Sequence, residues 1–68
     1  MRLAEFHRFV EYEFGAEQGP WLLHSHVLAK YDATGAELLE RGVEPRDIWW
    51  ELCKDHDVPM DRCHGPDE

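Results

Sequence analysis

Two cysteines and two histidines near the C-terminus are the residues in this sequence whose types could do chemistry together. Cys53 and His56 lie three apart on a predicted helix, so their side chains share one face. Cys63 and His64 follow Pro59, where a chain reversal would bring them back toward that face. Thiolate and imidazole are usual ligands of zinc, and a closed site would stabilise a small domain. The spacing therefore permits a four-ligand zinc site.

The same four residues also have a simpler interpretation. Structural zinc sites usually show two compact ligand pairs, and adjacent ligands such as Cys63 and His64 point apart. Cys53 is then a small buried apolar residue, and His56 lies at a helix C-terminus, where its cation is favoured. A disulfide between Cys53 and Cys63 would form only on oxidation. We commit to no metal ligands and expect no cofactor, with zinc kept as the alternative.

Other residues give weaker signs of chemistry. His24 and His26 are two apart, so they do not face each other on a helix, and Ser25 lacks the sharp turn of a hydrolase nucleophile. His7 lies on the apolar face of the first helix and is expected to be a hydrogen-bonded core residue. A chain of 68 residues leaves little room for a substrate cleft. We expect no catalytic residues and no enzyme.

Apolar residues at helical spacing predict two helices in the first half of the chain. The first covers residues 3–14 and ends at Gly15, where a positive φ is needed. The second opens at Gly19-Pro20 and should end near Tyr31-Asp32. It is apolar nearly all round, which places it centrally in the fold.

Capping signals predict two more helices in the second half. Thr34 and Glu37 form a capping box for a short third helix that stops at Gly42. The fourth helix begins at Glu44-Pro45 and ends before Val58-Pro59. The predicted fold is all-α: one compact bundle of three longer helices and one short helix over residues 1–60. Residues 61–68 are expected to be a flexible C-terminal tail.

The predicted core combines the apolar faces of these helices. It consists of Leu3, Phe6, Val10, Phe14, Trp21, Leu28, Leu38, Ile48, Trp49 and Leu52.

Trp50 does not fit this core. It lies about 150° from the centre of the apolar stripe of the fourth helix, at about 3.6 residues per turn. Either the first helix or the tail covers it, or it is exposed as an anchor for a partner. Tyr12 and Phe9 also fall off the best face of the first helix. Trp50, Tyr12 and Phe9 are therefore the candidate partner-binding residues.

The charge balance limits the kinds of partner. Fifteen acidic residues face seven basic ones, for a net charge of −8. This disfavours binding to a phosphate backbone and suits a basic protein partner. No apolar run approaches the roughly 20 residues of a membrane span, and the start lacks a signal-peptide core. We expect a cytoplasmic protein that binds no membrane.

Several segments together resemble a known family of small actinobacterial proteins, "domain of unknown function 3046". The resemblance runs from Met1 to about Arg62, and its segments are Met1-Arg2-Leu3-x-Glu5-Phe6, Trp21-x4-His26-Val27-Leu28 and Gly42-Val43-x-Pro45-x2-Ile48-Trp49-x3-Cys53. It implies a short intracellular helical protein and supplies no catalytic residues. The family's genes often lie near those of a recombinase and its regulator, which implies a link to DNA metabolism.

Three functions follow from these observations. The first is a small acidic interaction or regulatory module that binds another protein. The second is a nucleic-acid-associated module, because the third and fourth helices are arranged somewhat like a helix-turn-helix. Its fourth helix starts Glu44-Pro45-Arg46-Asp47, which suits a DNA groove poorly. The third is a zinc-stabilised domain.

Overall fold

In the residues that the computed structural model describes, 1–59 and 61–63, the chain is mostly helical with one small sheet. The helices are α1 (Leu3–Phe14), α2 (Gln18–Ser25), α3 (Gly35–Glu40) and α4 (Pro45–Asp55), and the strands are β1 (Val27–Leu28) and β2 (Ala33–Thr34). Three longer helices and one short helix are present as predicted. The all-α class needs correction, because β1 and β2 pair as an antiparallel hairpin.

None of the helices in these residues has the length and apolar content needed to cross a membrane.

The second helix ends earlier than its apolar pattern predicts. It stops at Ser25 and the hairpin follows, although the pattern favours helix to about residue 32. Asp32 closes the hairpin with a left-handed φ of 54°, and its amide donates to the Leu28 carbonyl at 2.8 Å. Leu28 points into the core, whereas Val27 points outward. Contacts with α4, described below, favour the hairpin over the local helical pattern, as tertiary contacts often do.

Most of the predicted core is confirmed. At most 2% of each of seven predicted side chains is exposed: Phe6, Val10, Leu28, Leu38, Ile48, Trp49 and Leu52. Phe14 is half-buried against this core. The core prediction is wrong for Leu3 and Trp21, which are 51% and 58% exposed. His7, expected on the core face, is also exposed.

Gly19 explains why Trp21 faces outward. A Cβ atom at Gly19 would lie 2.9 Å from Val10 Cγ1 and 3.3 Å from the Val10 carbonyl oxygen, so α2 approaches α1 through this glycine. Leu23, one turn later, is buried on the same side of α2. Trp21 is two residues from Gly19, which is about 200° around a helix, so it lies on the opposite face.

The capping box of α3 is confirmed. The Thr34 hydroxyl accepts from the Glu37 amide at 3.2 Å, and the Thr34 amide donates to Glu37 Oε1 at 3.0 Å. The first bond satisfies one of the free amides in the first turn of α3, and the second satisfies the amide of its N-cap residue. Gly35, at the start of α3, is also tightly packed, since a Cβ there would lie 2.8 Å from Leu23 Cδ2.

Removing the cap should weaken the fold measurably. Thr34→Ala is expected to lower the free energy of unfolding by about 1 kcal/mol, because the Glu37 amide loses its acceptor. Urea titration followed by circular dichroism measures this. Thr34→Ser is the matched control, since it keeps the hydroxyl and should stay close to wild type. Equal destabilisation by both variants would show that the methyl group matters rather than the cap.

Candidate functional site

Trp50 is half-buried at the edge of the core, where it separates two open grooves. The first, here called the α1–α4 groove, has a volume of about 300 Å³. It is lined by Met1, Glu5, Phe9, Arg46, Trp49, Trp50 and Cys63. The second, here called the α4-end groove, has a volume of about 340 Å³. It is lined by Trp50, Cys53, Lys54, Asp57, Val58 and Cys63. Trp50 is therefore neither fully covered nor fully exposed. The core covers part of its indole, and the rest lines the two open grooves.

Trp49 holds the neighbouring chain in place behind Trp50. Its side chain is 1% exposed, and its indole Nε1–H donates to the Cys63 carbonyl at 2.7 Å. Phe9 packs edge-on against the Trp49 ring with centroids 5.6 Å apart. The wall beside Trp50 is thus fixed both by packing and by a buried hydrogen bond, so the grooves are preformed.

The turn at residues 61–63 is attached to both long helices. Cys63 is 5% exposed and its amide donates to the Pro59 carbonyl at 3.2 Å. Arg62 forms an ion pair with Glu13 of α1, at 3.0 Å. Arg62 and Cys63 of the expected tail therefore contact the domain, whereas residues 64–68 lie outside the described part of the chain.

The other two candidate partner-binding residues lie on one side of α1. Phe9 is a core residue, only 8% exposed, so the expectation that it falls off the apolar face is wrong. Its edge still lines the α1–α4 groove together with Glu5. Tyr12 is 68% exposed and follows Phe9 by three residues, so it stands on the same side of the helix. Phe9 and Trp50 thus line one groove, and Tyr12 is exposed beside Phe9 on α1, outside the residues that line it.

The chain reversal predicted after Pro59 brings the two cysteines together. Cys53 and Cys63 are free, buried thiols. Burial raises the pKa of Cys53, and the adjacent Cys63 thiol, hydrogen-bonded to it, raises that pKa further. Cys63 Sγ–H in turn donates to the Val58 carbonyl at 3.6 Å. A thiolate is the form that binds metals and attacks substrates, so the raised pKa of Cys53 suits a structural role better than chemistry.

His56 does not join the cysteines in a metal site. Its ring packs against His26, with centroids 4.7 Å apart, and against Phe14, at 5.2 Å. Within residues 1–59 and 61–63, no three histidine, cysteine or acidic side chains are grouped so that they could hold one metal ion. The fourth proposed ligand, His64, lies outside the described residues.

A cluster of His26, Asp55 and His56 was not predicted from the sequence. Asp55 Oδ2 accepts from His26 Nε2 at 3.0 Å and from the Ala29 amide at 3.2 Å. His24, two residues before His26, contacts the Pro20 carbonyl instead. His26 and Asp55 lie 29 residues apart in sequence, so no local pattern could have predicted their contact. The cluster fastens the hairpin to the end of α4.

The described residues form a small, mostly helical domain with two open grooves beside Trp50. Comparison with protein families matches residues 1–61 to the family described as "Protein of unknown function (DUF3046)". The chain belongs to this family, which confirms the resemblance found in the sequence.

One relative comes from Mycobacterium tuberculosis and carries the name "Putative envelope-preserving system protein Rv2742c". It is 48% identical over 42 residues, which is 60% of this chain and 15% of the relative. The chain thus matches only a small part of that longer protein. No solved structure matches the chain.

Proposed function

We propose that this chain is a small acidic interaction or regulatory module of the cytoplasm, not an enzyme, and that it binds a basic segment of a partner protein at the α1–α4 groove. The observation that carries this proposal is the position of Trp50, half-buried between two open grooves.

A half-buried indole is well suited to anchor a partner. Tryptophan is enriched among residues that dominate binding energy, and such residues lie in pockets surrounded by contacts that exclude water. Here Trp49 and its bond to the Cys63 carbonyl hold the groove wall in place before binding. Little conformational entropy is then lost on association, which favours affinity.

Charge favours a basic partner segment. The chain carries a net charge of −8, and Glu5 lies within the groove itself. Arg46 also lines the groove, and Glu44 and Asp47 are exposed carboxylates close to it in sequence at the start of α4. Such a field raises the rate of encounter with a positively charged segment and disfavours the phosphates of nucleic acid. The partner should place an apolar side chain on Trp50 and a basic residue near Glu5.

The longer relative supports a module that works by contact. Its name refers to an envelope-preserving system, and a stretch like this chain occupies 15% of its length. We propose that the present chain likewise acts within a larger assembly of proteins.

Trp50→Ala should weaken partner binding about thirtyfold or more, since a central tryptophan contributes at least roughly 2 kcal/mol. Proteins retained from a lysate on the immobilised chain supply the partner. Titration of that partner into the ¹⁵N-labelled chain then gives the dissociation constant. The indole N–H signal of Trp50 should shift more than that of Trp21.

Trp21→Ala is the matched control, because Trp21 is 58% exposed and lines neither groove. It should bind the partner as wild type does, and circular dichroism should show both variants folded. Equal affinities of Trp50→Ala and wild type, or a loss confined to Trp21→Ala, would remove the grooves from the proposal.

A further inference from the structure

The end of α4 is joined to the hairpin by a single carboxylate oxygen. Asp55 Oδ2 accepts both from His26 Nε2, at 3.0 Å, and from the Ala29 amide, at 3.2 Å. His26 immediately precedes β1 and Ala29 immediately follows it, while Asp55 is the last residue of α4. Loss of these two bonds would leave the hairpin without its polar attachment to α4.

His56 adds an unsatisfied group to this contact. Its Nε2 atom is buried and has no hydrogen-bond partner. The ring lies between His26, at 4.7 Å, and Phe14, at 5.2 Å between centroids. A neutral imidazole tolerates such surroundings at a modest cost, but a protonated one would bury a charged N–H without an acceptor.

We infer that His26, Asp55 and His56 form an acid-sensitive contact that holds the hairpin on α4 at neutral pH and releases it when His56 is protonated. The Asp55 carboxylate is already hydrogen-bonded to His26, at 3.0 Å. A proton on His56 would be buried without an acceptor, and the nearby His26, 4.7 Å away between ring centroids, opposes it.

The groups around His56 oppose its protonation in the closed contact. Burial lowers the pKa of His56, the nearby His26 lowers it further, and Asp55 opposes both effects. Burial acts to raise the pKa of Asp55, but its bonds from His26 and Ala29 outweigh that effect and lower it. From α1, uncharged Phe14 meets the ring, and the neighbouring Glu13 is paired with Arg62 at 3.0 Å.

The sign of the pH dependence follows from these directions. In the unfolded or released chain, His56 has its ordinary pKa of 6.5, above its value in the closed contact. Below about that pH the released form binds more protons, so acidification favours release. Asp55 stays ionised until the pH falls below its ordinary pKa of 3.8, and only then does its own contribution disappear. The window for release therefore begins near pH 6.5 and extends downward.

Nuclear magnetic resonance of the full chain between pH 7.5 and 5 tests this inference. The Ala29 amide signal should move as its bond to Asp55 opens, with the same midpoint as the His56 ring protons. Its hydrogen exchange, corrected for the intrinsic pH dependence, should speed up at least several-fold. His56→Phe removes the titrating group and keeps a ring against Phe14, so the Ala29 signal should lose this transition.

Two further variants separate the cluster from general acid effects. His7→Phe is the matched control, because His7 is exposed on α1, away from the cluster, and the variant should keep the wild-type transition. His26→Gln removes the charge that lowers the pKa of His56, so that pKa should rise. An Ala29 amide that does not respond between pH 7.5 and 5, or that responds equally in His56→Phe, would overturn the inference. In that event the three residues would be only a structural contact.

Discussion

Trp49→Ala is expected to leave the chain largely unfolded at room temperature. Truncating a buried tryptophan costs about 3–5 kcal/mol, and Trp49 is only 1% exposed. The Cys63 carbonyl would also lose its buried indole donor, at a further cost of about 1–3 kcal/mol. A domain of this length has a free energy of unfolding of roughly 3–10 kcal/mol, so the combined loss is comparable with the total stability of the domain.

Circular dichroism during urea unfolding measures this effect. Trp21→Ala makes the same chemical change at a 58% exposed site and should change stability by no more than about 0.5 kcal/mol. Trp49→Phe should be intermediate, since it keeps a ring against Phe9 but removes the N–H donor and part of the buried indole volume. If Trp49→Ala unfolded at the same urea concentration as wild type, Trp49 would not be the centre of the core.

Leu28→Ala is expected to cost about 2–5 kcal/mol, because Leu28 is fully buried and truncation leaves a cavity. Val27→Ala is its matched control. Val27 precedes it in β1 but is 49% exposed, so its truncation should cost about 0.5 kcal/mol or less. Thermal and urea unfolding of both variants gives the comparison.

This pair of variants also tests the hairpin itself. In a strand, adjacent side chains point to opposite faces, which makes the two costs very different. In the helix that the apolar pattern predicts, Val27 and Leu28 would share the inner side and both truncations would be costly. Equal costs at the two positions would therefore argue for helix rather than for the hairpin of this structure.

Local signals predicted the parts of the fold that depend on neighbouring residues. The capping box of Thr34 and Glu37 and the start of α4 at Pro45 were predicted correctly. The apolar face of Ile48, Trp49 and Leu52 was also correct, because helical spacing alone decides which side chains share a face.

The hairpin was not predictable in the same way. Residues 26–31 carry apolar side chains at helical spacing, and nothing within that segment contradicts a helix. The bonds that favour the hairpin come from Asp55, 26 and 29 residues away along the chain. The choice between helix and hairpin thus depends on a contact that exists only after α4 has packed.

The candidate site was predicted in part. Trp50 was singled out because it does not fit the apolar stripe of α4, and the structure places it between two open grooves. Tyr12 is exposed on the α1 side of that surface, whereas Phe9 is mostly core. Angles around one helix cannot show what packs against it, and here Trp49 of α4 covers Phe9.

The sequence by itself determined the family, the acidic charge, the positions of α1, α3 and α4 and most of the core, because these depend on composition and on spacing within one segment. Only the tertiary structure decided that Trp21 faces solvent, that Cys53 lies beside Cys63 and that His56 packs against His26. The reason is geometric: each depends on the close approach of segments distant in sequence. The contact of Gly19 with Val10 and the return of residues 61–63 against Trp49 are two such approaches.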